Sequence, residues 1–395
     1  MKHNASCILL FLVLISSSLS AEEPDESDYL NIGGALRFNA AVQNYEQSNK
    51  DLDTYMKMDT WFLSADARLM GFDLSIQYRF YSEFKMHFLH HGYIGYQIDD
   101  KWYGQLGVLQ KPFGIGPAAS HSWWYQAPYY IGLEDAYSTG LNFSYKHDKL
   151  AFDLAYFRQA APKGPIDSDS QDNGVGNGRF SYAIVPTTGY ADGQLVDANI
   201  RELDQFNIRA RYHVLKEVEL GFSAQFGSIY NREIDRRKWG LTWAAHTQID
   251  YNRWNFKGEV IGYNYNALGN DGQKLDIIQM GAFGATQDVA AKGMVYVAGL
   301  SYKIPVNRKF ITSIEPYVDY SVVDKKVKSY KSTHYLIPGV LITSGPIYTY
   351  VDYAWGKNTP TLTSQEPIGL GAGSRDARWN SRFNINIGYY FNFKI

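Results

Sequence analysis

The sequence predicts an all-β fold: a transmembrane antiparallel β-barrel of about sixteen strands. Three observations carry that expectation. Apolar and polar side chains alternate with a period of two along most of the chain. The alternating segments run to about ten residues, long enough for a tilted strand to cross a bilayer. Short and long connections take turns between them, as do the turns and loops on the two sides of a membrane barrel. A soluble β-sandwich would alternate in the same way with its faces reversed. Aromatic residues at strand ends, such as Trp102-Tyr103, Tyr353 with Trp355, and Tyr389-Tyr390, weigh against it, because amphipathic rings settle at a membrane interface.

The chain has 395 residues, of which 45% are hydrophobic and 16% aromatic, with 32 Tyr and 9 Trp. Residues 1–21 have a basic start, an apolar run from Ile8 to Ile15 and small residues after it, the pattern of a secretory signal peptide cut after Ser20 or Ala21. The apolar run is shorter than the roughly 20 residues of a spanning helix. Residues 22–28, EEPDESD, read as an acidic leader, and 29–395 as one barrel domain. Cys7 is the only cysteine, so the mature chain has neither a disulfide framework nor a catalytic thiol. Loss of Lys2 takes the 38 basic residues to 37 against 40 acidic ones, a net charge near −3 that offers nucleic acid no basic field.

The strands follow in order. In 29–45, Leu30, Ile32, Leu36, Phe38, Ala40 and Val42 share the apolar face, and Asn31, Arg37, Asn39 and Gln43 the polar one. Trp61, Leu63, Ala65, Ala67 and Leu69 oppose Asp66 and Arg68; Leu74, Ile76, Tyr78 and Phe80 oppose Asp73, Gln77 and Arg79. Downstream, Phe206, Ile208 and Ala210 oppose Asn207, Arg209 and Arg211, and in 378–395 Phe383, Ile385 and Ile387 oppose Arg382, Asn384 and Asn386. Tight links are expected at Met70-Gly71, Asp99-Asp100, His147-Asp148, Leu215-Lys216, Asn252-Arg253, Val306-Asn307 and Ser344-Gly345. Long connections are expected near 44–58, 111–136, 160–202, 229–237, 266–292, 322–333 and 357–377, with 160–202 at the surface and mobile.

The stretch LGVLQKPFGIGPAASHSWWYQAP, Leu106 to Pro128, begins as a strand, breaks at Lys111-Pro112-Phe113-Gly114 and continues rich in glycine and rings. Such a loop is built to lie against a wall, its glycines Gly114 and Gly116 permitting bends and its rings packing. The stretch 104–117, GQLGVLQKPFGIGP, followed by 132–145, GLEDAYSTGLNFSY, resembles the signature of the phosphate-selective porin O/P family. That resemblance implies a homotrimer of sixteen-stranded channels in a Gram-negative outer membrane, passing small hydrophilic solutes by passive diffusion, anions such as phosphate among them. It implies that the third long loop folds inward as a constriction loop that here includes Pro112, Phe113, Gly114, Trp123, Trp124, Tyr125, Glu134 and Asp135.

A ring of cations in a narrow passage selects anions. The polar phase puts Arg37, Arg68, Arg79, Arg209, Arg211 and Arg382 inward, with Lys111 at the loop base. The same phase carries Asp66, Asp73, Asp153, Glu219, Glu259, Glu315, Asp319 and Asp352, so the arginines could equally pair with these acids and brace the wall. A weakly selective porin and a channel for small carboxylate or aromatic nutrients stand as alternatives, the latter on Trp123, Trp124, Tyr125, Tyr129 and Tyr130, which serve equally as packing anchors. A barrel hydrolase would draw on His121 beside Ser120 and Ser122, or on His87 and His91, which strand alternation places on one face. Neither a Gly-x-Ser-x-Gly nor a His-Glu-x-x-His pattern occurs, so no catalytic residue, metal or cofactor is expected. An adhesin using the 160–202 loop is the remaining class.

Overall fold

The computed structural model describes residues 28–45, 53–82, 85–123, 126–165, 178–363 and 369–394. The expected signal peptide, the leader up to Glu26-Ser27, and the loop residues Trp124 and Tyr125 lie outside these described residues.

The first seven strands are β1 (Tyr29–Gln43), β2 (Asp53–Leu69), β3 (Phe72–Tyr81), β4 (Met86–Gln97), β5 (Trp102–Gln110), β6 (Tyr137–His147) and β7 (Leu150–Ala160). Three short strands follow, β8 (Ala183–Ile184), β9 (Thr187–Ala191) and β10 (Gln194–Ala198). Then come β11 (Ile200–Leu215), β12 (Val218–Asn231), β13 (Arg236–Tyr251), β14 (Trp254–Asn264), β15 (Ile277–Ala282), β16 (Ala285–Ala290), β17 (Lys292–Tyr302), β18 (Ile304–Arg308), β19 (Ile311–Lys325), β20 (Thr333–Ser344), β21 (Ile347–Lys357) and β22 (Asn380–Lys394).

Each long strand pairs antiparallel with the next, and β1 pairs with β22 from Asn31↔Lys394 to Gln43↔Arg382, which closes the sheet. β18 continues the crossing of β17 past Lys303 along β19, so the barrel has sixteen crossings, as expected. Closure leaves no edge, and every crossing satisfies its backbone within the ladder, the condition for spanning lipid with strands.

The two faces settle the choice between sandwich and membrane barrel. Leu63, Leu74, Leu106, Phe206, Leu220, Phe222 and Leu241 are all exposed on the outside. Asn39, Thr60, Asn142, Ser223, Thr242, Ser321, Asn384 and Asn386 are buried on the inside. A water-soluble protein would invert this; an apolar exterior around a polar lumen is stable only with lipid outside. Rings pair at the girdle levels, Trp254 with Tyr302 at 4.6 Å, Trp102 with Tyr145 at 5.0 Å, and Tyr353 with Trp355 at 4.4 Å. The belt and closed barrel place the protein in the outer membrane of a Gram-negative cell.

Turns on one side are short, and several have left-handed residues of the kind tight hairpins need, Met70-Gly71, Asp148, Asn252 and Gly345 among them. The expected link at Val306-Asn307 is instead continuous strand, and the hairpin turns at Lys309-Phe310, where Lys309 has φ +34°. On the other side the alternation of lengths is less regular than expected. The β3–β4 connection is only 82–85 and the β12–β13 connection only 232–235. The 111–136 connection is nonetheless the third on its side.

The described second half of the 160–202 connection corrects the expectation of a mobile surface loop. It forms β8–β10, which join β15 and β16 from the 265–291 connection in a second sheet, ordered β10-β9-β15-β16 with β8 on β15. Phe180, Ile184, Val185, Leu275, Ile278, Met280 and Val289 are buried around it. Most of the glycine run at 174–178 lies outside the described residues. Two loops far apart in sequence thus make one sheet within the barrel mouth, and that sheet presses on the third loop.

Candidate functional site

The third loop leaves β5 at Lys111 and returns at Ala136, whose carbonyl accepts the Lys111 N–H at 2.7 Å. Between them it crosses the lumen to the opposite wall. Gly114 N–H donates to Ser223 Oγ on β12 at 3.0 Å, and Ile115 N–H to Glu259 Oε1 on β14 at 3.3 Å. Lys257 Nζ donates to the Ala118 carbonyl at 2.9 Å. His121 lies between Asp319 on β19, 2.8 Å from Nδ1, and Asn255 on β14, 2.6 Å from Nε2. Ala127 N–H donates to Ser321 Oγ at 2.9 Å as a helical turn, Ala127–Tyr130, begins.

Gly114 shows why the break has this sequence. Its φ is +61°, and a Cβ there would lie 2.1 Å from Glu259 Oε1. Phe113, Ile115, Tyr129, Tyr130 and Ile131 are buried, and Tyr130 stacks on Tyr335 at 5.3 Å and 7°. Tyr129 donates to the Phe180 carbonyl, just ahead of β8, at 2.9 Å.

Glu134 closes the loop on itself. Its Oε1 accepts Ala119 N–H at 2.9 Å and Ser120 N–H at 3.2 Å, and also takes the Ser120 hydroxyl. Burial pushes its carboxyl up to about 7, with the donors at Ser120 and the charge of Lys257 acting the other way. Asp135 has φ +45° and accepts Gln110 Nε2 at 2.8 Å, turning the chain back to the wall. Burial also pulls the Lys111 ammonium below its usual range, against the charge of Glu202.

The six inward arginines divide into two groups. Arg68 pairs with Asp73 at 2.7 Å near the short-turn end. Arg209 and Arg211 share Asp153, at 3.0 and 3.6 Å, and Arg209 Nη1 lies behind the loop near Gly116. The other three, Arg37 on β1, Arg79 on β3 and Arg382 on β22, line a cavity of about 730 Å³ between the wall, the third loop and the second sheet. Arg37 meets Asp59 at 3.6 Å and lies 4.3 Å from the Trp123 ring centroid. Arg382 donates to Asn39 Oδ1 at 3.2 Å. Arg79 donates from Nε to Gln77 at 2.6 Å and lies 4.7 Å over Phe180 and 5.3 Å over Phe62; among the described residues no carboxylate is within 4.0 Å of it.

Of the eight acids expected to brace arginines, Asp73 and Asp153 do so. Glu259 and Asp319 hold the third loop instead. Glu219 faces His246 and His213, Asp66 takes Ser75, Glu315 takes Ser301, and Asp352 takes Tyr317. Sequence phase placed these acids in the lumen but gave no sign that backbone N–H groups of a distant loop compete for them. Ser223 was placed on the polar face but not as an anchor, and Asn255, Lys257 and Ser321 were missed, though a period-two count carried through every polar residue finds them; Asp59 stands in the bulge of β2 between Met58 and Thr60, where strict alternation would put it with Trp61.

The histidine expectations change as well. A bulge in β4 opposite Gln77/Tyr78 reverses the phase, so His87 and His91 occupy opposite faces. His87 Nδ1 meets Tyr78 outside at 2.5 Å, whereas His91 meets Ser75 inside at 3.2 Å. No group of three metal-ligating side chains occurs among the described residues. His121 is engaged by Asp319 and Asn255 rather than by a serine.

No family model matches the chain, and no curated protein matches it. Solved structures do. The outer-membrane channel DcaP of Acinetobacter baumannii is similar at TM-score 0.61 and 11% identity, over 94% of this chain and 100% of that one. An anion-selective porin from Comamonas acidovorans follows at TM-score 0.57 and 11% identity, over 92% and 100%. Pseudomonas putida OprB gives TM-score 0.55 and 10% identity, over 92% and 94%. At such identities the likeness is one of fold, and the chain is a closed sixteen-stranded outer-membrane barrel of the architecture these proteins share.

Proposed function

We propose that the protein is a homotrimeric outer-membrane porin that lets small hydrophilic solutes diffuse through a water-filled lumen and prefers anions, phosphate among them. One observation carries the preference: among the described residues, the cavity beside the third loop is lined by three guanidiniums, Arg37, Arg79 and Arg382, and one carboxylate, Asp59. The loop segment facing them, Ala118 to Trp123, bears no acid. An aqueous passage with low-dielectric walls and that balance attracts anions and repels cations. Arg68, Arg209 and Arg211 contribute less, because they lie outside this cavity, Arg68 against Asp73 and the other two sharing Asp153.

A second reading has its own support. The cavity wall also contains Trp123, Tyr129, Phe180, Phe283 and Tyr350, so a ring-bearing carboxylate has apolar faces to lie on and an arginine fork to meet its charge.

The test is the reversal potential of single channels in a planar bilayer under a KCl gradient, with phosphate or benzoate added in turn. An anion-selective current that millimolar phosphate blocks supports the phosphate reading, and block by benzoate alone supports the aromatic one. A weakly selective current indifferent to both makes the protein a general porin. Crosslinking in mild detergent tests the trimer.

A further inference from the structure

On the outer surface, away from the lumen, β6, β7, β11 and β12 carry two register rows. Leu141, Tyr156, Phe206 and Phe226 stand side by side in one; Phe143, Leu154, Ile208 and Ala224 stand in the other. The rows are apolar and face lipid, with Phe143, Leu154, Phe206 and Phe226 exposed. They enclose a groove of about 350 Å³, whose floor at one end is low because Ala224 stands among large neighbours.

The groove ends at a cluster of charge. Two residues beyond Tyr156 along β7, a rise of about 7 Å, Arg158 pairs with Asp204, which also accepts Tyr156 Oη at 2.6 Å. Arg237 on β13 meets the other oxygen of Asp204 at 2.7 Å. Arg201 completes the row, its guanidinium 5.6 Å over Tyr230, which itself bonds Asp235. Three guanidiniums thus face two carboxylates, and the Arg158 and Arg237 side chains are 55% and 36% exposed. Each guanidinium has five N–H donors, so the Asp204 contacts leave donors directed outward.

The level matters as much as the charge. Tyr156, Phe206, Phe226 and Trp239 form a ring cluster, with Phe226 and Trp239 stacked at 4.7 Å. Rings of this kind mark the interface, and the arginines lie just beyond them on the long-loop side, at headgroup depth. We propose that this face is a binding site for a phosphorylated, acylated glycolipid of the external leaflet, with a phosphate on Arg158, Arg201 and Arg237 and an acyl chain in the groove. A lipid without an anionic headgroup needs only the apolar belt; an anionic headgroup joined to a chain is what the arginine row above a groove fits.

The test uses the purified full chain in mild detergent and a bis-phosphorylated, hexa-acylated glucosamine disaccharide as the probe, with bound lipid read by native mass spectrometry. Its dephosphorylated form and inorganic phosphate are run beside it. Expected are retention of the phosphorylated probe, at least tenfold weaker retention without the phosphates, and no displacement by millimolar inorganic phosphate. Arg158→Gln with Arg237→Gln should reduce retention. Because that pair leaves Asp204 with fewer partners, Ala224→Trp serves as a second variant: it fills the groove from the lipid face, should keep the heat-modifiable gel mobility of a folded barrel, and should also reduce retention. Equal retention of both lipids, retention unchanged by Ala224→Trp in a folded barrel, displacement by inorganic phosphate, or loss of oligomer in place of lipid would each overturn the proposal.

Discussion

Asp319 grips the third loop at His121. One carboxylate oxygen lies 2.8 Å from His121 Nδ1, and the other accepts the backbone N–H groups of His121 and Ser122 at 2.7 and 2.8 Å. The side chain is fully buried. Hydrogen bonds to a charged group contribute about 1.5–3 kcal/mol each, so this residue alone can hold the loop tip across the lumen. Asp319→Ala should release the tip while leaving the barrel ladder untouched. Single-channel recordings should show larger, noisier conductance with an unchanged thermal unfolding midpoint; a quiet, wild-type trace would mean that the other anchors suffice.

Gly114 lies where the loop leaves the wall of β5 and reaches β14. Any side chain there meets Glu259 and must also adopt φ +61°, a left-handed conformation costing about 1–2 kcal/mol. Gly114→Val should displace the loop base from Ser223 and Glu259. Liposome-swelling rates for a solute near the exclusion limit report this directly, and the variant should admit larger solutes than the parent.

Position on the cavity separates the arginines into two groups, which predicts unequal effects. Arg79→Gln, Arg37→Gln and Arg382→Gln should each shift the reversal potential towards zero, and the triple variant should lose most of the anion preference. Arg68→Gln should change it little, since its charge is already offset by Asp73. Equal shifts from Arg68 and Arg79 would refute the division.

The loop should respond to pH through Glu134. Its carboxyl is raised to about 7 from an ordinary 4.5 because it is buried, with Asp135 adding to the shift and Lys257 opposing it. The folded loop therefore binds its proton more tightly than the unfolded chain does. The resulting stabilisation is complete below 4.5 and is lost as pH rises through about 7. Conductance fluctuations should grow between pH 5 and 8, and Glu134→Gln, which stays neutral, should flatten that dependence. A pH profile that survives the substitution would assign it to another group.

Much of the fold was legible in the residues. Leu63, Leu74 and Phe222 share an apolar phase, and Asn39, Thr242 and Asn384 a polar one, because side chains alternate strictly across a pleated strand. Where the ladder slips, the reading slips with it: the bulge in β4 separated His87 from His91, and continuous strand replaced the link at Val306-Asn307. The site was legible in part. Lys111-Pro112-Phe113-Gly114 marked the loop, and the phase of Arg37, Arg79 and Arg382 placed them inside.

Period and turn chemistry are local, so the sequence by itself determined the strands, their faces, the sixteen crossings and the position of the inward loop. What meets what across the lumen is not local. Tertiary structure alone decided that Asp319 and Glu259 hold backbone N–H groups instead of arginines, that Asp153 serves both Arg209 and Arg211, and that β9 and β15, from two loops, join in one sheet. The physical reason is that closing the barrel brings side chains from distant strands together in a narrow lumen, where each carboxylate goes to the nearest donors, and those are set by shear and loop path rather than by neighbours in the chain.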